Sequence, residues 1–421
     1  MLGNRAILMA AVSVVAITGV ASEAYAGAFA LREQSAYYQG TSFAGNATSS
    51  QSISSMFWNP ATLTAHDGFT TESINTFIVP RVEVNPTTAT YGTVGSGDMG
   101  VDAWVPASYA TYQVNDQIYL GLGINAPFGL QTKPDPAWAG RYYARTSKIF
   151  SINATPTVAY KINDQFSVAL GAQVQYFKLS LKAALPAGGV PGDPSNELKG
   201  DDVGFGFTAG MTWKPMDGTE IGVGFRSSIN HSLKGDLVMP FPSAPLVTGN
   251  NPISASMNTP EMVTLSAKQR INEQFTLMGS VEWTNWSRLK APGIVLDSLG
   301  VPVSAITLHY EDGWYFALGG EYKWSDKLTL RSGFAYEMSP ISDATRGLRL
   351  PDNDRIWASA GMTYTYSEHL SFDMGYTHIF GTDTPINIVP GHQDYTAAKG
   401  TFIGEADSQV DILSASMRYK W

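Results

Sequence analysis

The 421-residue chain carries only 15% charged residues but 12% aromatic ones and 41 glycines, and its mean hydropathy is close to zero at −0.08. This balance fits neither a bundle of membrane helices nor an ordinary soluble domain; it fits a membrane β-barrel, in which only alternate residues meet lipid. The cysteine count of 0 excludes a disulfide scaffold, a thiolate metal site and thiol catalysis, and the net charge of −9 argues against nucleic acid as a partner.

The N-terminus reads as an export signal. Arg5 supplies the positive charge, 6–21 is apolar, and Ala24-Tyr25-Ala26 has the small-x-small form of a cleavage site, so residues 1–26 are expected to be a signal peptide. The apolar stretch is about 16 residues long, short of the roughly 20 that span a bilayer. Residues 27–68 follow, rich in Ser, Gly, Ala and Thr and without strand periodicity. They end in Asn59-Pro60-Ala61 just before the first alternating run.

From residue 69 onward the chain is punctuated by a recurring turn phrase. It appears as Tyr112-Gln-Val-Asn-Asp-Gln-Ile118, Tyr160-Lys-Ile-Asn-Asp-Gln-Phe166 and Gln269-Arg-Ile-Asn-Glu-Gln-Phe275. Looser forms are Tyr322-Lys-Trp-Ser-Asp-Lys-Leu328 and Tyr364-Thr-Tyr-Ser-Glu-His-Leu370, and a further turn is Lys214-Pro-Met-Asp-Gly-Thr219. Each lies between runs of period-two patterning, as a short hairpin turn does. After one such turn, Phe372, Met374, Tyr376 and Phe380 oppose Ser371, Asp373, Gly375 and Thr377. Longer Pro/Gly/Asp-rich connections fall at 85–101, 127–147, 183–200, 234–258, 289–307, 339–352 and 382–406. Short turns alternating with long loops are the periplasmic and outer connections of an outer-membrane barrel. Six short turns join twelve strands; one more at 69–83 and one at 407–421 predict fourteen, with both termini on the periplasmic side. Trp421 ends the last strand on an aromatic residue, as such barrels do. A barrel of this size leaves a hole unless something fills it. The predicted filler is 27–68, acting as a hatch inside an all-β, 14-stranded antiparallel transmembrane barrel formed by 69–421.

Several phrases in order along the mature chain resemble the outer-membrane long-chain fatty acid and hydrocarbon transporters of the FadL/TodX family. They are Gly27-Ala-Phe29, Asn59-Pro60-Ala61, Pro127-Phe-Gly-Leu130 with Trp138-Ala-Gly-Arg-Tyr142, and Gly200-Asp-Asp-Val-Gly-Phe-Gly-Phe207. Further on come Gly222-Val-Gly-Phe-Arg-Ser227 with Leu233-Lys-Gly235, Glu282-Trp-Thr-Asn-Trp-Ser287, and Leu330-Arg-Ser-Gly333 with Ile341, Pro351-Asp352 and Arg355. The resemblance implies a fourteen-stranded barrel with an N-terminal hatch. It implies passive uptake of hydrophobic molecules and their sideways release through a wall opening beside a kinked third strand. It also places Phe29 and Leu31 in or near the ligand pocket, and Asn59, Pro60 and Ala61 as a hatch contact beside the opening. The third strand is read as 117–126, with Gly121 and Gly123 facing inward and Pro127 and Gly129 just beyond. Glycine marks a bend or close approach and proline leaves a gap in the ladder, so the opening is expected at 121–129.

A fatty acid carboxylate calls for a cation, arginine above all. The candidates are Arg141, Arg226, Arg331 and Arg355, with Lys178 and Lys214 behind them; an aromatic hydrocarbon needs none of these. Leu185, Val190, Leu237, Met239 and Phe241 lie in two long outer loops, where apolar residues form either a capture groove or a contact with lipopolysaccharide. Gly95-Ser-Gly-Asp-Met-Gly100 matches a dinucleotide fingerprint by chance, because a strand and not a helix follows it. The six histidines show no metal spacing and no nucleophile motif stands out. The expected protein is therefore a monomeric importer without catalytic residues, metal or cofactor, surrounded by outer-membrane lipid and lipopolysaccharide. The competing readings are an aromatic-hydrocarbon channel, an outer-membrane hydrolase and a polar-solute porin.

Overall fold

The computed structural model describes residues 27–382 and 384–421, with only the backbone of Ser304 and Ala305. The expected signal peptide, 1–26, lies outside the described residues. Fourteen antiparallel strands close into a barrel. In chain order they are β1 (Phe69–Ala89), β2 (Ala103–Gln113), β3 (Ile118–Asn125), β5 (Thr146–Lys161), β6 (Phe166–Ala184), β7 (Ser195–Met216) and β8 (Thr219–Arg226). Then come β11 (Met262–Arg270), β12 (Phe275–Thr284), β15 (Gly313–Lys323), β16 (Leu328–Met338), β17 (Arg355–Thr365), β18 (Leu370–Gly381) and β20 (Phe402–Lys420). Each pairs with the barrel strand before and after it, and β1 closes on β20 from Thr70↔Lys420 to Ala89↔Phe402.

The six short turns fall where the sequence places them. The repeated phrase has a simple physical role: Asn115 Oδ1 accepts from Gln117 N and Ile118 N, and Asn163 and Asn272 do the same one and three hairpins on. Ser325 and Ser367 take that role in the looser versions. Outward residues such as Phe372, Met374, Tyr376 and Phe380 are exposed as a lipid-facing band, while Ser371, Asp373 and Thr377 are buried in the lumen.

The outer connections are more ordered than Pro/Gly/Asp-rich loops lead one to expect. They contain β4 (Gly129–Thr132), β9 (Asn230–Met239), β10 (Gly249–Asn258), β13 (Gly293–Leu296), β14 (Val301–Ala305) and β19 (Thr384–Ile388). Buried backbone must be paired, and these segments pair mainly with one another and with the ends of barrel strands. For the same reason β1 extends to Ala89 rather than 83 and β20 starts at Phe402 rather than 407. β3 is shorter than its expected 117–126.

Residues 27–68 fill the lumen as a hatch of short turns. It contains α1 (Ala36–Gln39) and two 3-10 segments, Ile53–Phe57 and Pro60–Ala65, capped by the side chains of Ser35, Ser52 and Asn59. Glycines on the inner wall let its backbone approach closely: a methyl group on Gly222 or Gly224 would lie 1.8 Å from Ala47 O or 1.7 Å from Trp58 O. Tyr38 and Phe57 of the hatch meet Trp58 edge-on and Phe43 meets it at a tilt, and Phe43 also meets Trp357, which in turn meets Tyr315 on the wall.

Candidate ligand pocket and wall opening

Above the hatch lies a chamber with about 760 Å³ of space between its lining atoms, part of it open to solvent, walled by Phe57, Trp58, Met262, Trp286, Trp314 and Met338. Four ionic groups also line it: Arg32, Arg226, Glu282 and Glu337. Arg32 bonds Glu282 at 2.6 Å and Glu337 at 3.3 Å and lies 3.7 Å over the Tyr315 ring. Arg226 donates to Phe57 O at 3.0 Å and to Gln173 Oε1 at 2.5 Å, and stacks 4.2 Å over Phe57. Among the described residues no carboxylate forms an ion pair with Arg226. Three of the candidate ligand residues therefore meet at or beside the chamber: Leu31 and Arg226 in its lining, and Phe29 packed 4.7 Å from Trp286.

The wall beside the chamber is broken. β3 pairs with β2 only over Ser108–Gln113, so Ala103–Ala107 of β2 pair with β1 alone. The chain turns away at Ala126–Phe128, where Ser151 Oγ on β5 donates to Phe128 O and accepts from Phe128 N. From inside, the N-terminal arm covers this breach as a makeshift strand. Leu31 N donates to Pro127 O and Gly129 N to Phe29 O, both at 2.9 Å; Ala30 bridges Phe128, and Gln34 Nε2 donates to Ala126 O at 2.8 Å. Pro127 and Gly129 thus sit at the breach itself. Gly121 and Gly123 lie lower on β3. A methyl on Gly121 would meet Leu63 Cδ1 at 2.5 Å, and one on Gly123 would meet Tyr109 at 3.2 Å.

The hatch contact beside β3 is made by different residues from those expected. Asn59 donates to Met211 O on β7 at 2.9 Å and to Ala47 O at 2.7 Å, and Asn59 and Pro60 press on Gly210, so they anchor the hatch to β7, three strands round the wall from β3. Ala61 is buried behind them, its N–H held by Asn59 Oδ1. Leu63, at the other end of the same 3-10 segment, and Met56 face Gly121. An Asn-Pro pair marks a cap in the sequence, but not which wall the cap faces.

The other candidate arginines are already engaged. Arg331 pairs with Glu321 at 3.2 Å and Asp373 at 3.6 Å and lies 3.6 Å over Tyr37, beneath the hatch. Arg355 pairs with Asp352, whose other oxygen accepts from Ala28 N at 3.0 Å. Arg141 donates to the carbonyls of Trp138 and Gly189 and stacks on Tyr142, which ties outer loops together. Lys178 is exposed on the outer surface, and Lys214 lines a polar vestibule on the periplasmic side.

At the outer mouth a second, larger cavity encloses about 1820 Å³. Leu185, Leu237 and Met239 line it together with Leu246, Ile294 and Leu350. Val190 and Phe241 stand outside it, exposed at loop tips. The loops meet as expected, but only the residues within or next to strands turn inward. Three charged residues absent from the sequence-based candidates face this cavity: Arg349, Asp394 and Lys399. Burial holds the Arg349 guanidinium down to about 10, lowers Lys399 and raises Asp394. Lys399 Nζ lies 5.2 Å over the Tyr143 ring. Nothing in their local sequence sets these residues apart from other loop charges. No group of three His, Asp or Glu among the described residues is arranged to hold a metal.

Fold and site define a plugged β-barrel of the Gram-negative outer membrane with an apolar chamber inside it. Residues 17–421 match the family described as outer membrane protein transport protein (OMPP1/FadL/TodX), and the chain belongs to that family. It is 27% identical over 406 residues to the long-chain fatty acid transport protein of Salmonella typhi, covering 89% of this chain and 92% of that one. To the protein of the same description from Escherichia coli K12 it is 26% identical over 417 residues, covering 89% and 93%. Among solved structures, a Pseudomonas aeruginosa FadL homologue superposes with a TM-score of 0.84 at 26% identity, over 94% of this chain and all of that one (100%). The Pseudomonas putida toluene transporter TodX shares the fold, with a TM-score of 0.69 at 16% identity over 92% and 98%.

Proposed function

We propose that this protein carries hydrophobic compounds across the outer membrane by passive diffusion, and that long-chain fatty acids are the class its site fits best. The outer cavity captures the ligand, the chamber above the hatch holds it, and the breach beside Ala126–Phe128 releases it sideways into the membrane. On this reading no bond is made or broken, and the barrel works as a monomer among outer-membrane lipid and lipopolysaccharide. The observation that carries the ligand class is Arg226: a buried guanidinium on an apolar chamber, held by neutral oxygens only. Relatives described as long-chain fatty acid transport proteins support the same class.

Sideways release is supported by energetics. Each buried CH₂ is worth about 0.8 kcal/mol on leaving water. A path down through the hatch would end in the periplasmic vestibule, lined by Lys214, Glu220, Lys268, Glu321, Lys323 and Arg331, and would forfeit that gain. A path through the wall keeps the chain among apolar groups throughout.

The second reading, an aromatic-hydrocarbon channel, draws on the edge-to-face cluster of Phe29, Phe128 and Trp286 at the chamber's rim. Uptake of oleate and of toluene by Arg226→Met and Arg226→Lys variants separates the two. Fatty acid transport predicts an oleate-selective loss of about tenfold in the Met variant, since a charged hydrogen bond is worth about 1.5–3 kcal/mol, with partial recovery in the Lys variant. Unchanged oleate uptake in Arg226→Met would overturn the assignment.

A further inference from the structure

The outer end of the barrel wall is not evenly charged. On the outer ends of β5, β6, β7 and β9 the outward-facing positions change over two rows from apolar or neutral residues to charged ones, lysine the most frequent among them. Ile152, Tyr176 and Val203 stand opposite one another as one transverse row, facing out. The next row outward is Phe150, Lys178, Asp201 and Lys234, and the next is Lys148, Ser180, Lys199 and Asp236. Rows lie about 7 Å apart and neighbouring strands about 4.8 Å apart, so Lys148 and Lys178 are on neighbouring strands one row apart, and Lys178 and Lys234 share a row two strands apart with Asp201 between them. Lys199 pairs with Asp236 at 3.6 Å. Lys148, Lys178 and Lys234 form no ion pair among the described residues, and Lys178 and Lys234 are exposed.

A separate arc, reached across β2 and β3, is richer in carboxylates. On β1 and β20, Glu83 stands directly across from Asp407, and Glu405 and Asp411 lie on the same strands. In a chain of net charge −9, lysines gathered on one arc, level with Phe150 or one row beyond it, where Phe150 and Tyr176 lie 6.3 Å from each other, are not a uniformly solvated rim. Aromatic rings mark the level at which a membrane changes from hydrocarbon to headgroups. Cations directly above that level meet whatever anion the lipid presents there.

We propose that the arc of Lys148, Lys178 and Lys234 is a binding site for a phosphate-bearing glycolipid of the outer leaflet, the lipid A portion of lipopolysaccharide. The acyl chains lie along the exposed Val203, Phe205 and Phe207 face, and the phosphates meet the lysines. The site adjoins the breached wall, because Lys148 on β5 stands opposite Gln131 of β4, just beyond the kink. The proposal rests on the outer-membrane orientation given above and not on the transported ligand.

The test is native mass spectrometry of the purified barrel with bis-phosphorylated lipid A, with the same lipid after dephosphorylation, and with phosphatidylglycerol. The wild type is expected to hold the phosphorylated glycolipid most strongly. A Lys148→Glu/Lys178→Glu/Lys234→Glu variant should lose about tenfold or more in affinity, given about 1 kcal/mol for each lysine near a charged surface. The neutral Lys178→Gln/Lys234→Gln pair, which keeps the apolar stems, should fall between. Heat-dependent gel mobility checks that each barrel is closed, and oleate uptake is measured separately, so failure here leaves the transport reading standing. Equal binding by wild type and variants, indifference to the phosphates, or equal retention of phosphatidylglycerol would overturn the proposal.

Discussion

Leu31 N donates to Pro127 O at 2.9 Å, which joins a residue of the ligand chamber directly to the kinked strand at the wall breach. The neighbouring Ala30–Phe128 bridge continues the contact. On the proposed reading, occupancy of the chamber and closure of the wall would depend on the same few backbone hydrogen bonds.

A cross-link at this point should stop transport. The chain contains no cysteine, so Ala30→Cys with Phe128→Cys introduces one defined pair at an existing antiparallel bridge. Oxidation is expected to reduce oleate uptake at least about tenfold, and reductant to restore it. Undiminished uptake by the fully cross-linked protein would rule out movement of the arm as the gate.

Docking of the arm should depend on pH through Glu33. Both its carboxylate oxygens are buried with no well-formed hydrogen bond among the described residues, and burial holds the group up to about 7 from an ordinary 4.5, with nearby backbone N–H groups and Arg32 opposing the shift and Glu337 adding to it. The docked arm retains a proton that the released arm gives up. Docking is thus strongest below pH 4.5, weakens as pH rises to about 7, and is constant above. The span is about 3 kcal/mol. Maleimide labelling of Ala30→Cys, divided at each pH by the rate in a Glu33→Gln background, should rise across that interval; a flat ratio contradicts the assignment.

The hatch should be sensitive to single methyl groups on the wall. Gly222→Ala and Gly224→Ala each drive a Cβ into hatch backbone, a kind of overpacking that costs about 1–3 kcal/mol. The expected outcome is a lower melting temperature in detergent and faster swelling of liposomes in sugar solution. Gly293→Ala, at a position with nothing within 4 Å, should change neither, and a leak as large in that control would point away from the hatch.

Capture at the outer mouth should depend on charge as well as on apolar surface. Arg349→Met with Lys399→Met removes two cations from the outer cavity and keeps its apolar lining. Oleate uptake at low concentration should fall several-fold while uptake of an uncharged alkane is unchanged. Parallel losses would assign these residues to loop structure instead.

The barrel was legible in the sequence because its signals are local. A turn such as Asn115-Asp116 fixes its own hairpin, and period-two alternation assigns each residue of β18 to lipid or lumen without reference to any other strand. The site was legible only in part, because it is built from long-range contacts. The fold brings Phe29, Leu31 and Arg226 to the chamber, whereas Arg331 and Arg355 look no different in sequence and are neutralised by Glu321, Asp373 and Asp352. Pairing partners of that kind are set by barrel register, which no short window contains. The same holds for Asn59, whose capping role is local and whose anchoring wall is not, and for Arg349 and Lys399, which only the folding of two loops brings to one cavity.

The stack through the hatch has an electrical consequence. Tyr37 lines the polar vestibule, Trp58 lines the chamber above, and Tyr38 contacts both rings at 5.0 and 6.0 Å. An ion crossing such an aromatic layer would have to shed its hydration, so the hatch is expected to resist ion flow between the two cavities. With the release route proposed above, the barrel would act as an insulator with a side door, passing a greasy molecule through its wall without offering an ion a continuous aqueous path.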